Sequence, residues 1–205
     1  RSKALTSPTT TAIRNQQRGR KCGPNALDAM NAQPVTFSFE LFPPRTPEGT
    51  AKLPAVVAKL AELRPEYFSV TYGAGGSDQG GTYETVIKVV KQTGIEAAPH
   101  LTCVGSTRAN IKTLLDQYRA AGIRRIVALR GDLPATAIGA QAPGELHYAN
   151  ELIGFIRETH GDHFHLEVAA YPEVHPQAPN PEADFANFRR KVEAGADVAV
   201  TQYFY

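Results

Sequence analysis

A chain of 205 residues with 42% apolar side chains is large enough for one domain with its own core. A net charge of +2 gives no basic footprint for nucleic acid or an anionic membrane surface, and no apolar run nears the roughly 18 residues that span a bilayer. The two cysteines, Cys22 and Cys103, make no disulfide framework, and the absence of CxxC and HExxH spacings leaves no metal-site signature, so a reducing, cytoplasmic setting is expected.

Residues 1–33 show neither helical nor strand periodicity and read as a disordered or non-homologous leader. Their first 21 residues hold six Lys/Arg and no acid, which suits either a mitochondrial-type presequence or a flexible leader without function. The chain starts with Arg, so the expectation is a missing or processed start.

From residue 34 short apolar strands alternate with amphipathic helices. The strands are expected at 35–42, 67–72, 97–104, 125–129, 165–171 and 198–205, each rich in Val, Ile, Phe, Tyr or Thr. Helices are expected near 50–63 and 82–93, from a Ser106 or Thr107 cap to a stop at Gly122, near 145–159, and from Asn180–Pro181 to Gly195. Units of about 30 residues imply parallel strands joined by crossovers. A doubly wound sheet calls for Gly-x-Gly-x-x-Gly after its first strand, and FELFPPRTPEG has none. A (β/α)8 barrel instead gathers polar groups at the C-terminal ends of many strands. Glu40, Thr71, His100, Asp132, Tyr171 and Gln202 sit at such ends, so the expected fold is a TIM barrel with about six of its eight units, over 34–205. The closing VTQYFY is a poor natural C-terminus, and truncation before two further strands is expected.

Glu40 lies between Phe39, Leu41 and Phe42, which suggests desolvation and a role as general acid. The alternative is a buried carboxylate paired to an arginine. The loop 71–81 holds five glycines and suits either close approach to ligand oxygens or a plain turn. In LRGDLP, Arg130 and Asp132 either hold each other or place a negative charge near a cofactor ring. An adhesion role for this RGD is excluded by the buried strand before it. The proline-rich stretch 171–180 presents Tyr171 and His175. Asp184, Asn187 and Lys191 share one helical face, which for an arbitrary helix usually means solvent. His100 and Cys103 read as core residues.

The strings FSFELFPP, FSVTYGAGG, PHLTCVG, RIVALRGD, AAYPEVHP, ADFANFRRKVEAGAD and TQYF, in this order over 35–205, resemble the methylenetetrahydrofolate reductase family. That resemblance implies an FAD-dependent barrel reducing 5,10-methylenetetrahydrofolate to 5-methyltetrahydrofolate with NADH or NADPH, for methionine synthesis. It places the general acid that opens the folate ring on Glu40, and the aspartate beside the flavin on Asp132. Flavin contacts fall on Tyr72, Ala74, His100, Arg130, Gly131, Asp132, Tyr148, Tyr171, His175, Asp184, Asn187, Arg190 and Lys191. Substrate contacts fall on Glu40, Thr71, Asp132 and Gln202. The helical face that periodicity assigned to solvent is thereby reassigned to FAD. A shared site for nicotinamide and folate implies ping-pong kinetics, and a homo-oligomer is expected at full length. One alternative stays open, an inactive fragment that at most binds flavin; another FAD barrel, such as a proline dehydrogenase-like enzyme, is disfavoured by the strings quoted above.

Overall fold

The computed structural model describes residues 36–72, 79–132 and 144–204, without the side chains of Gln79 and Gly80, all within the compact unit Thr36–Tyr205. Among them strand and helix alternate as β1 (Phe39–Leu41), α1 (Pro47–Ala61), β2 (Tyr67–Val70), α2 (Gln79–Thr93), β3 (Glu96–Thr102), α3 (Arg108–Ala120), β4 (Arg125–Leu129), α4 (Ala149–His160), β5 (His165–Ala170), α5 (Pro181–Glu193) and β6 (Val198–Thr201). Every neighbouring pair is parallel, and the spatial order is the chain order, β1 through β6. A doubly wound sheet reverses its order at a switch point. This sheet does not, so it is a half-barrel, as the strand-end pattern implies. No helix among the described residues is long and apolar enough to cross a membrane.

Helix ends follow local chemistry. Thr107 Oγ1 accepts the Asn110 N–H at 3.2 Å before α3, and Asn180 Oδ1 accepts that of Ala183 at 2.8 Å before α5. Gly122 (φ 80°) and Gly195 (φ 111°) then turn the chain in a conformation that side chains with a Cβ disfavour. The helix expected from 145 starts four residues later, at Ala149. Glu151 reaches back to accept the His147 N–H at 2.7 Å, and Leu146 is buried ahead of the cap, so 145–148 serve as an anchored lead-in. Strands β1 and β6 are shorter than the apolar runs suggest, since each borders a single partner strand in the sheet.

Period-two alternation gives the sheet two faces. Leu41, Phe68, Val70, Ala97, Leu101, Ile126, Ala128, Leu166 and Val168 point to the helices and form the core with Val57, Val86, Ile111, Leu115, Leu152 and Ile156. Residues of the other parity line the barrel interior. At its N-terminal end Arg125 donates to Glu167 (2.6 Å), Glu96 (3.2 Å) and Glu66 (3.2 Å), and its guanidinium lies 4.3 Å from the centre of the Tyr67 ring. Tyr67 in turn donates to Glu167 at 3.1 Å, so this end is filled by a polar layer satisfied from within. The C-terminal end is where the interior opens.

Candidate active site

The parity that puts Glu40 on the inner face extends through the ladder to Ser69 and Ala98, and two residues further along each strand to Thr71 and His100. The β5–β6 register carries Tyr171 and Gln202 to the same face and the same end. Of the six expected strand-end residues, Thr71, His100, Asp132 and Tyr171 line a cavity at this mouth, with Asp132 in the segment that follows β4, whereas Glu40 and Gln202 share the face but lie outside the cavity linings.

A cavity of about 320 Å³ opens there, lined by Thr71, Tyr72, His100, Arg130, Gly131, Asp132, Tyr171, His175 and Lys191, together with Thr102, Val104, Ala128, Leu129, Ala149 and Ala169. A second cavity of about 760 Å³ adjoins it between α5, the start of α4 and the segment after β5. Tyr148, Asp184 and Asn187 line it, with Phe185 and Phe188 as apolar wall. Arg130, Ala149, Tyr171, His175 and Lys191 belong to both linings. Among the described residues, those common to both linings thus bring a guanidinium, an imidazole, an ammonium and a phenol to the neck, and no carboxylate.

These groups are held in place. Lys191 donates from Nζ to the Ala169 carbonyl, and desolvation lowers its pKa against the opposing pull of Asp184. Among the described residues it makes no ion pair within 4.0 Å, so a half-buried cation at the neck lacks close neutralisation. The rings of Tyr171 and His175 meet edge to face at 4.4 Å, and the His175 backbone N–H donates to Asp184 Oδ2 at 3.0 Å. Gly131 (φ 89°) passes so close to Thr102 that a Cβ would sit 2.9 Å from the threonine Cβ. Any side chain there would push into the floor of the smaller cavity.

The His100 side chain is only 13% exposed, and desolvation pushes its pKa down to about 4. It is neutral near pH 7, so its 3.5 Å approach to Glu40 Oε2 is no ion pair. Glu40 departs from expectation. Its side chain is 51% exposed and meets His100 instead of an arginine, which removes both the desolvated carboxylate and the buried Arg pair. The cause is alternation: Leu41 turns to the helix layer while Glu40 faces the open interior, and Phe42 is itself 71% exposed. Arg130 and Asp132 do not hold each other either; Arg130 donates to Gln177 Oε1 at 2.8 Å and to the Gly131 carbonyl at 3.2 Å.

Asp184, Asn187 and Lys191 line the larger cavity, with Asn187 exposed and the other two partly buried. Arg190 lies outside both linings and donates to Asn187 Oδ1 at 2.7 Å. Gln202 is exposed and outside both linings, its N–H donating to the Ala170 carbonyl at 2.7 Å. Ala74 and most of the glycine-rich loop fall outside the described residues. Cys103 is core, as expected; burial raises its thiol to about 11. Gln177, Phe185 and Phe188 were missed. Phe185 and Phe188, three apart on α5 and next to the polar face, were the available signal.

The solved structure of phosphoenolpyruvate phosphomutase from Streptomyces platensis subsp. rosaceus shares this fold, with TM-score 0.56 and 12% identity over 85% of this chain and 62% of that one. The 5,10-methylenetetrahydrofolate reductase of Salmonella typhimurium is 46% identical over 171 residues, 83% of this chain and 55% of the relative. The enzyme of the same name from Escherichia coli is 44% identical, with the same coverage. The chain thus spans a little over half the length of these curated relatives. The family model for methylenetetrahydrofolate reductase matches residues 26–205, and with these identities the chain belongs to that family.

Proposed function

We propose that this chain forms the flavin-binding face of a reductase that uses FAD and NADH or NADPH to convert 5,10-methylenetetrahydrofolate into 5-methyltetrahydrofolate, in methionine biosynthesis. The neck is the observation that carries this reading. Two adjoining cavities joined by Arg130, His175 and Lys191 suit a long ligand with a flat ring at one end, an adenosine at the other and a pyrophosphate between them. The under-neutralised Lys191 fits a dianionic group in particular. When bound, FAD supplies the two-electron chemistry that links nicotinamide oxidation to folate reduction.

The remaining work falls to side chains. Gly131, Tyr72, Tyr171 and His100 form the ring end, Arg130, His175 and Lys191 the neck, and Tyr148, Asp184 and Asn187 the adenosine end, with Ala74 assigned by family resemblance. Arg190 acts through Asn187, which it holds. Glu40 carries the proton that opens the folate ring, and His100, kept neutral by burial, offers it a contact without a competing positive charge. Asp132 places negative charge where the opened substrate becomes cationic. Thr71 and Gln202 lie at the same mouth for pterin and nicotinamide.

The test is a titration of the chain with FAD, followed by flavin fluorescence and the visible spectrum. Saturable binding is expected, with Lys191→Ala weakening it about tenfold or more, as loss of a charged phosphate contact does. Absence of binding, or binding indifferent to Lys191, would count against the neck as a pyrophosphate site.

A further inference from the structure

We propose that Gln177 is the positioning residue of the neck: its side-chain carbonyl aims the Arg130 guanidinium, and its backbone N–H fixes the tautomer of His175. The inference deepens the flavin reading and rests on it. Family resemblance assigns Gln177 no role, yet it touches two residues to which that resemblance does assign one.

Arg130 enters the neck from the end of β4 with two contacts, Nη2 to Gln177 Oε1 at 2.8 Å and Nε to the Gly131 carbonyl at 3.2 Å. Two anchored nitrogens set the plane of a rigid guanidinium and leave its other N–H groups for a ligand. The Gln177 N–H donates to His175 Nδ1 at 3.0 Å. An Nδ1 that accepts carries no proton, so the neutral ring bears its hydrogen on Nε2 and offers a donor to the cavities it lines. The ring is fixed further by the edge-to-face contact with Tyr171. Pro172, Pro176 and Pro179 restrict the backbone around Gln177, so the loop loses little entropy by holding this arrangement. One exposed loop residue thus orients two N–H donors toward the same acceptor-rich stretch of ligand.

The test is a double-mutant cycle on FAD affinity, with riboflavin as a ligand that has the ring but no phosphate. Gln177→Ala is expected to weaken FAD about five- to tenfold and riboflavin less than about twofold. Gln177→Glu, which keeps an acceptor for Arg130, should stay within about threefold of the parent. In an Arg130→Ala background, Gln177→Ala should add almost nothing, because the residue it positions is gone. Gln177 is exposed, so these variants should keep the parent melting temperature. Side-chain 15N shifts of His175 without flavin should show the Nε2–H form. Full additivity in the cycle, with FAD bound by the parent chain, would overturn the Arg130 role alone. A predominant Nδ1–H form would overturn the His175 role. A parent chain that binds neither FAD nor riboflavin would overturn the flavin reading and, with it, the ligand of this neck.

Discussion

Glu40 and His100 sit 3.5 Å apart at the mouth, and their different environments lead to different tests. In the reaction proposed above, hydride transfer from NAD(P)H to the flavin needs no proton on the folate. Glu40→Gln should therefore leave flavin reduction largely intact and slow reoxidation by methylenetetrahydrofolate at least about 10²-fold. Stopped-flow absorbance follows the two halves separately, and equal slowing of both would reduce Glu40 to a structural carboxylate. Asp132→Asn should slow the folate half less completely, since the proton source remains. His100 bears on stability. Its pKa falls from 6.5 unfolded to about 4 folded, so between those values the unfolded chain binds more protons. Stability that is fully present above pH 6.5 is therefore lost as pH falls toward 4, by up to about 3 kcal/mol. Urea unfolding at pH 7 and pH 4.5 should show this loss shrinking in His100→Gln; an unchanged difference would mean that the ring already takes up its proton in the folded state. The place of His100 was legible from its strand, because parity fixes the face. The surroundings of Glu40 were not, because apolar neighbours along a strand describe the opposite face.

Among the helices, α4 is tied to the entry of β6 by one side chain. Arg157 donates to the Gly195 carbonyl at 2.7 and 3.0 Å, to Phe164 and Gly161 carbonyls at 2.8 and 3.1 Å, and to Asp197 at 2.7 Å. Arg157→Ala strips these acceptors of a partner and should cost about 2–4 kcal/mol in urea unfolding. Arg157→Lys should recover little, since a point charge cannot reproduce the planar fork. Gly195 is bound into the same arrangement. A Cβ there would stand 3.0 Å from Arg157 Cγ and Nε at a φ of 111°, so Gly195→Ala should be strained and destabilising. The caps at Thr107 and Asn180 could be read in advance because they rest on local spacing. The Arg157 clamp and the Arg130–Gln177 contact could not, since they join segments 38 to 47 residues apart.

For the molecule as a whole, the two ends of the same strands carry different burdens. The N-terminal layer centres on Arg125, whose loss would leave Glu167, 1% exposed, without its cation. Arg125→Leu should cost about 3–5 kcal/mol, as for a broken buried pair, without a direct change at the mouth about four to six residues up the strands. Unfolding curves with near-normal flavin affinity at low denaturant would bear this out; loss of affinity at unchanged stability would not. Parallel alternation and chain-order pairing were legible from the spacing of apolar runs, because each crossover unit repeats. The polar lower layer escaped notice, although Glu96 and Arg125 open their strands and Glu167 lies two residues into its own. The sequential order of the sheet also bears on how the molecule comes into being. Each strand pairs with the one made about 30 residues earlier, so during synthesis a newly emerged strand meets its partner already in place. Assembly can proceed from the first strand onward with no long wait for a distant segment. The neck, built from residues as far apart as Arg130 and Lys191, takes shape only as α5 docks, so the two cavities it joins are completed late in synthesis.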